Sequence, residues 1–303
     1  MKSRIIIACL LIGTGLLASC QRAEKENPEE PLRPVVPEAP ADSVWTLTIQ
    51  AAKKVDTKAL DLTGDGSTLN AYWKSTEKVK VYKDGTLLGQ LDVTPGDGEK
   101  PATATLSGSI TVEGLAQGDQ LTLMIPRESW DYTGQTGTLT EIESSYDYAT
   151  ATVSVSAIDG QAVTTTAADF QNQQSVYRFG FKSGENYIGL KGFTVSAAGG
   201  KLVQGISLEN NVWTPAYGIL SVAPAATPAD FFYYVAIRNE QTTADTYSFV
   251  MTGSDDALYM ATKAIPASVL ATPGRFISAK TIEAVKPDFS PESGSLGDNP
   301  VIY

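Results

Sequence analysis

Catalysis needs side chains that can carry a proton, a metal or an electron pair, and this chain has few of them. Among its 303 residues there is no histidine, and the only two cysteines are Cys9 and Cys20. A Ser-His-Asp or Cys-His centre and any histidine-ligated zinc or iron site are thereby excluded. No glycine-rich phosphate loop precedes a helix. Carboxylates remain. Glycoside hydrolysis needs two of them about 5 to 9.5 Å apart, and Asp131, Glu141, Glu143 and Asp147 qualify by residue type alone. With 34 acidic residues against 23 basic ones, solvated surface carboxylates are the simpler reading. Asp61-Leu62-Thr63-Gly64-Asp65-Gly66 lacks the alternating oxygen ligands and closing glutamate of an EF-hand loop, so a turn is expected there. Trp130-Asp131-Tyr132 and Tyr146-Asp147-Tyr148 interleave rings with acids. A ring can cover the apolar C–H face of a sugar while polar neighbours bond its hydroxyls. Trp130 and Tyr132 are therefore candidate glycan contacts, with half-buried tyrosines at strand ends as the competing reading. No catalytic, metal or cofactor residue is assigned, and a non-enzymatic protein is expected.

The remaining reactive group is the Cys20 thiol. Lys2 and Arg4 precede an apolar run from Ile5 to Leu17, followed by Leu17-Ala18-Ser19-Cys20. A charged start, a short apolar run and small residues at a cleavage point describe a secretory signal. The run is shorter than the ~20 residues of a membrane-spanning helix. Its ending resembles a bacterial lipobox, which implies cleavage between Ser19 and Cys20 and acylation of Cys20. Each buried methylene contributes about 0.8 kcal/mol, so several acyl chains on one cysteine make a firm anchor. The mature chain then has neither free thiol nor disulfide, and burial must stabilise it. Gln21 to Ala41 reads as a tether: a charged stretch, then Pro28, Pro31, Pro34, Pro37 and Pro40 at every third residue, a spacing that favours an extended polyproline II spacer. The chain carries a net charge of −11. Loss of Lys2 and Arg4 with the signal leaves 21 basic residues and a net charge of −13. Such a surface repels phosphate backbones, so no nucleic-acid partner is expected.

From Val44 onward the apolar residues recur with period two. Trp45, Leu47 and Ile49 alternate with threonines and Gln50; Leu121, Leu123 and Ile125, then Val153 and Val155, then Tyr177, Phe179 and Phe181 do the same. This is the pattern of strands with one buried face. Phe231 to Ile237 is apolar without alternation and predicts a central strand covered on both faces. Asp84-Gly85 predicts a type I′ hairpin turn, and Gly199-Gly200, Asn210-Asn211 and Gly253 to Asp256 mark further turns. The only helical turn foreseen is Pro266 to Leu270, with Pro266 at its start. The expected organisation is a signal peptide (1–19), an acidic and Pro-rich tether (20–43), an N-terminal β-sandwich (44–165), a C-terminal β-sandwich (166–285) and a tail (286–303). The domain boundary falls in the small, polar window from Thr164 to Gln174.

Several stretches in this order resemble the fimbrillin family, the lipoprotein subunits of type V pili: Thr57-Lys58-Ala59-Leu60, Asn70-Ala71-Tyr72-Trp73, Glu77-Lys78-Val79-Lys80-Val81-Tyr82, then Tyr259 to Ala267 and Pro273-Gly274-Arg275-Phe276. The resemblance implies two tandem transthyretin-like β-sandwiches and a cell-surface protein of the outer membrane or fimbrium. It implies a lipid anchor, palmitate included, and pilus subunits that join by β-strand donation, with a host glycan or protein as a further partner. In such proteins an arginine-directed protease often removes an N-terminal strand. Here no arginine lies between Arg33 and Arg127, and only Lys53, Lys54 and Lys58 follow the first strand. The tail holds Pro287, Pro291, Gly294, Gly297 and Pro300 and makes a poor donor strand. An anchor, tip or accessory subunit is therefore expected rather than a stalk. A surface glycan-binding lipoprotein is the alternative.

Overall fold

The computed structural model describes residues 43–53, 61–62, 69–70, 72–125, 129–209, 212–271 and 273–287. The strands run β1 (Ser43–Lys53), β2 (Asp61–Leu62), β3 (Leu69–Asn70), β4 (Lys78–Lys83), β5 (Thr86–Pro95), β6 (Thr103–Val112), β7 (Gln120–Ile125), β8 (Trp130–Asp131), β9 (Ala149–Asp159), β10 (Ala162–Thr165) and β11 (Ala168–Asn172). They continue with β12 (Ser175–Ser183), β13 (Asn186–Tyr187), β14 (Leu190–Ala197), β15 (Val203–Glu209), β16 (Val212–Tyr217), β17 (Leu220–Val222), β18 (Phe232–Ile237), β19 (Asp245–Gly253), β20 (Leu258–Ile265) and β21 (Phe276–Glu283). Among the described residues helix is confined to short turns at Leu139–Glu141, Ile142–Tyr146 and Ala267–Leu270, the last opening after Pro266 as its sequence predicts. The protein is all-β.

In the first lobe one sheet closes on itself. Its order is β1, then β10 and β11, then β9, β7, β4, β5 and β6, and β6 pairs back onto β1. Closure removes both edges of the sheet. Inward residues alternate along each strand and fill the ring: Leu47, Val79, Val81, Leu91, Leu106, Leu121, Leu123 and Phe170 are fully buried. The Asp84-Gly85 turn forms as predicted, with φ of 49° and 78° at its two residues, and Lys83 pairs with Thr86. Ala168 and Phe170 of β11 lie in this first core, so the first lobe runs to Asn172 rather than ending at Thr165. The second core begins just past the Thr164 to Gln174 window, at β12, where Val176 and Tyr177 are buried.

The second lobe packs β18–β12–β21, with β13 as a hairpin extension of β12, against β17–β14–β19–β20. Its core is aromatic: Phe179 meets Phe249 edge-on at 5.0 Å, and Phe181 meets Phe193 and Phe249 at 5.6 and 5.2 Å. β18 is not flanked by two strands as its apolar run suggests. One edge pairs with β12 and the other is met by residues 135 and 137. The segment between β7 and β9, expected inside the first sandwich, packs into the second core through Trp130, Tyr132, Ile142, Tyr146 and Tyr148. β8 pairs with β15, joining a three-stranded β8–β15–β16 sheet. The outward positions Tyr82 and Met124 of the ring are buried beneath the second lobe as well. The described residues from Ser43 to Pro287 accordingly form one compact unit.

Candidate functional site

β1 is the strand that closes the ring. It runs antiparallel to β6 from Ser43↔Val112 to Ala52↔Thr103. Its other edge pairs in parallel first with β10, at Thr46 to Thr48, and then with β11, at Ala51 to Lys53. Trp45, Leu47, Ile49 and Ala51 point inward and are buried, and the Trp45 indole N–H donates to the Val112 carbonyl at 3.1 Å. Each large buried apolar side chain contributes about 1.5–3 kcal/mol. Withdrawing β1 would leave facing edges of β6 and β10–β11 with unpaired N–H and C=O groups along a slot open to the core. That is a template for another extended chain.

The end of β1 differs from its sequence reading. Lys53, read above as following the first strand, is its last residue and is buried, with its side chain fully enclosed. Its ammonium donates to the Tyr72 carbonyl at 2.8 Å and to the Glu77 carboxylate at 2.8 and 3.0 Å, and lies 4.0 Å from the centre of the Trp73 ring. Glu77 also accepts the Lys74 N–H at 3.0 Å. The cage fastens β1 to the chain ahead of β4. A protease cannot take hold of a lysine held in this way. Lys54 and Lys58 lie outside the described residues.

The aromatic-acidic motifs come together, but as packing. Trp130 has both faces covered, by Tyr148 at 5.6 Å and by Trp213 at 6.0 Å, and Tyr132 is fully buried. Neither ring can therefore lie on a sugar, which corrects the glycan contact expected of Trp130 and Tyr132. The Tyr148 hydroxyl bridges the Asp131 N–H and carbonyl, each at 3.0 Å. The Gln174 side-chain carbonyl accepts from the Tyr148 N–H at 3.1 Å, and its amide donates to Asp147 at 3.2 Å. Burial pushes the Tyr132 hydroxyl well above its ordinary pKa. The candidate carboxylates are spent similarly: Asp131 accepts from the Thr133 N–H and hydroxyl, Glu141 from those of Thr136, and Glu143 pairs with Lys74. Beside Trp130, a cavity of about 360 Å³ includes Met124, Trp213, Arg238 and Glu240 in its lining. Arg238 donates to Glu240 at 2.8 and 3.0 Å and to Gln173 at 2.7 Å, while Tyr217 donates to Glu240 at 2.6 Å. Burial alone would raise the Glu240 pKa, but the Tyr217 and Arg238 bonds outweigh it and hold it below the ordinary value. Among the described residues no cluster of three metal-binding side chains exists, and no helix is long and apolar enough to cross a membrane. Ser19 and Cys20, the tether up to Asp42, Thr63 to Gly66, Asn210-Asn211 and the tail beyond Pro287 lie outside the described residues, while Ser43, expected at the end of the tether, already belongs to β1.

No protein-family model matches the chain, and no curated protein matches it. Several solved structures do. One is described as a cell adhesion protein, from Bacteroides ovatus, 12% identical, covering 81% of this chain and 97% of its own, at a TM-score of 0.40. Another is a fimbrial assembly protein from Parabacteroides distasonis, 9% identical, covering 78% and 90%, at a TM-score of 0.37. A third is the tip fimbrial protein Mfa3 from Porphyromonas gingivalis with a C-terminal truncation, 10% identical, covering 73% and 81%, at a TM-score of 0.36.

Proposed function

We propose that this protein is a structural cell-surface lipoprotein of the fimbrillin type, anchored in the outer membrane by acyl chains on Cys20. It takes part in fimbria assembly or cell adhesion as an anchor, tip or accessory subunit. On this reading the two lobes are transthyretin-like β-sandwiches, and other subunits join by strand addition. The observation that carries it is β1. The strand is bonded along both edges and fills the core with Trp45, Leu47 and Ile49, so it can be replaced only by another strand of the same pattern. Its retention is favoured by the Lys53 cage and by the absence of arginine between Arg33 and Arg127. A subunit that keeps its first strand offers no vacancy to a donated one, which fits the end of a fibre better than its middle. Fibres sheared from the native host surface, probed for this chain and sequenced from its N-terminus, test the proposal. A blocked, lipidated Cys20 in fibre-associated protein is expected. A start at Val55 or Ala59 would make it a processed stalk subunit. Absence from fibres, together with unchanged fibre number and host-cell attachment after deletion of the protein, would remove the reading altogether.

A further inference from the structure

At the far end of the second lobe a ring is displayed rather than packed. β12 turns through Gly184 and Glu185 into β13, which carries Tyr187, 45% exposed. Unlike Trp130, Tyr187 is stacked on one side only: Phe231 lies 5.6 Å away at an interplanar angle of 21°, and Phe232 meets it edge-on at 6.1 Å. The support beneath it is rigid. Phe232 lies against Gly180, where a Cβ would come within 2.6 Å of the ring, and the Arg178 guanidinium sits 3.6 Å from the ring centre. Phe231 has φ of 58°, a conformation that a bulky L residue rarely adopts. The turn is held by its N–H on the Pro228 carbonyl at 3.0 Å and by the Phe232 N–H on Asp230 at 3.2 Å. The far end of Tyr187 is fixed by its hydroxyl against Thr281 at 3.3 Å. Single exposed rings need no explanation. A strained backbone that holds two rings face to face at the surface does call for one.

Tyr187 also lines a cavity of about 370 Å³ together with Ser183, Asn186, Ser254 and Asp255. That is the low end of the roughly 300–1,000 Å³ of small-molecule sites. Its polar groups have capacity to spare. Among the described residues the side chains of Ser183, Asn186 and Ser254 make no hydrogen bond. Asp255 accepts the Ala257 N–H at 3.1 Å on one oxygen, and Tyr259 and Lys286, each at 3.0 Å, on the other. A carboxylate offers about four acceptor positions, so one remains. A fixed ring with a free face, next to uncommitted hydroxyl, amide and carboxylate groups, matches a pyranose: an apolar C–H face with a rim of hydroxyls. Asp255 is the one charged side chain in that lining, and its carboxylate disfavours an acidic sugar.

We propose that this end of the second lobe binds a neutral pyranose, its C–H face on Tyr187 and its hydroxyls bonded by Asn186, Ser254 and Asp255. The site acts in the isolated chain and does not depend on fimbria assembly. The test displays the detergent-solubilised full chain to an array of neutral and sialylated glycans, with host oligosaccharides and bacterial polysaccharides as separate arms, and titrates the best neutral hit by calorimetry. Binding to a neutral pyranose is expected, in whichever arm carries it. Tyr187→Ala should weaken it at least about tenfold, while Tyr187→Phe, which keeps the stacking face, should stay within about threefold of wild type. Both variants should melt as wild type does, since the residue is exposed. No binding to any neutral glycan, binding to sialylated glycans alone, or unchanged affinity in Tyr187→Ala would each overturn the proposal.

Discussion

Gln135 does with one side-chain amide what a neighbouring strand does with its backbone. Fully buried, it accepts the Ala236 N–H at 2.7 Å and donates at 2.9 Å to the carbonyls of both Ala236 and Tyr132. It thereby ties the edge of β18 to a segment from the other half of the chain. Truncation leaves three buried backbone groups without partners, each costing about 1–3 kcal/mol. Gln135→Ala should therefore lower unfolding free energy by roughly 3 kcal/mol in urea titrations. Lys53 and Glu77 pose a sharper case, because removing one member of a buried pair strands the other's charge. Glu77→Ala is expected to cost roughly 3–5 kcal/mol. A loss below 1 kcal/mol, in the range of an exposed pair, would show that the cage is not closed in solution.

At the scale of the element, β1 is where sequence pattern and assembly meet. Its side chains alternate in and out, so a slip of one residue against β6 would turn Trp45, Leu47 and Ile49 outward and the threonines inward. The register is accordingly well determined, and so is the pattern any substitute strand must present. Ile49→Ala should destabilise the protein by roughly 2–5 kcal/mol, read as a lower unfolding midpoint in urea. Insertion of a tobacco-etch-virus protease site in place of residues 54–60 allows a direct test. After cleavage and mild denaturant, a synthetic Trp45–Lys53 peptide should rebind and restore the original melting temperature. The same peptide with Leu47→Asp should not. Equal restoration by both peptides would mean that the slot does not read side chains.

For the whole molecule the relevant quantity is charge. Asp119 is held below its ordinary pKa by Lys83, 2.6 Å away, and by the Ala116 N–H. Burial raises Asp245, but donors from Asn239, Gly199 and Thr246 overcome it, and its pKa too ends low. Glu240 and Asp255 are also lowered. A carboxylate whose folded pKa is depressed stabilises the fold above its unfolded value, near 3.8 for Asp and 4.5 for Glu, and that stability is lost as pH falls through the folded pKa. With no histidine to titrate in between, the melting temperature should be flat from about pH 5 to 8 and should drop steeply below pH 3.8. A titration step near pH 6.5 would contradict this.

What the amino-acid order determined by itself was local. Period-two alternation placed the strands, because a half-buried strand selects apolar side chains one residue in two. Asp84-Gly85 made its turn because those residues accept positive φ, and Pro266 opened a helical turn because its missing N–H costs nothing there. The absence of histidine removed whole classes of chemistry. Only the tertiary structure decided which strands became neighbours. β1 found β6, β10 and β11 at separations of about 50 to 120 residues, and the segment around Trp130 left its own lobe to pair with β15. Lys53 was buried rather than displayed because Glu77 and Trp73 converge on it. The same convergence covered both faces of Trp130, which its sequence offered as a platform, and left a face of Tyr187 open, which nothing in the local sequence distinguished. Periodicity records whether a residue faces a core. Which core it faces, and which rings remain uncovered, depends on contacts between residues far apart in the chain, and these leave no local trace.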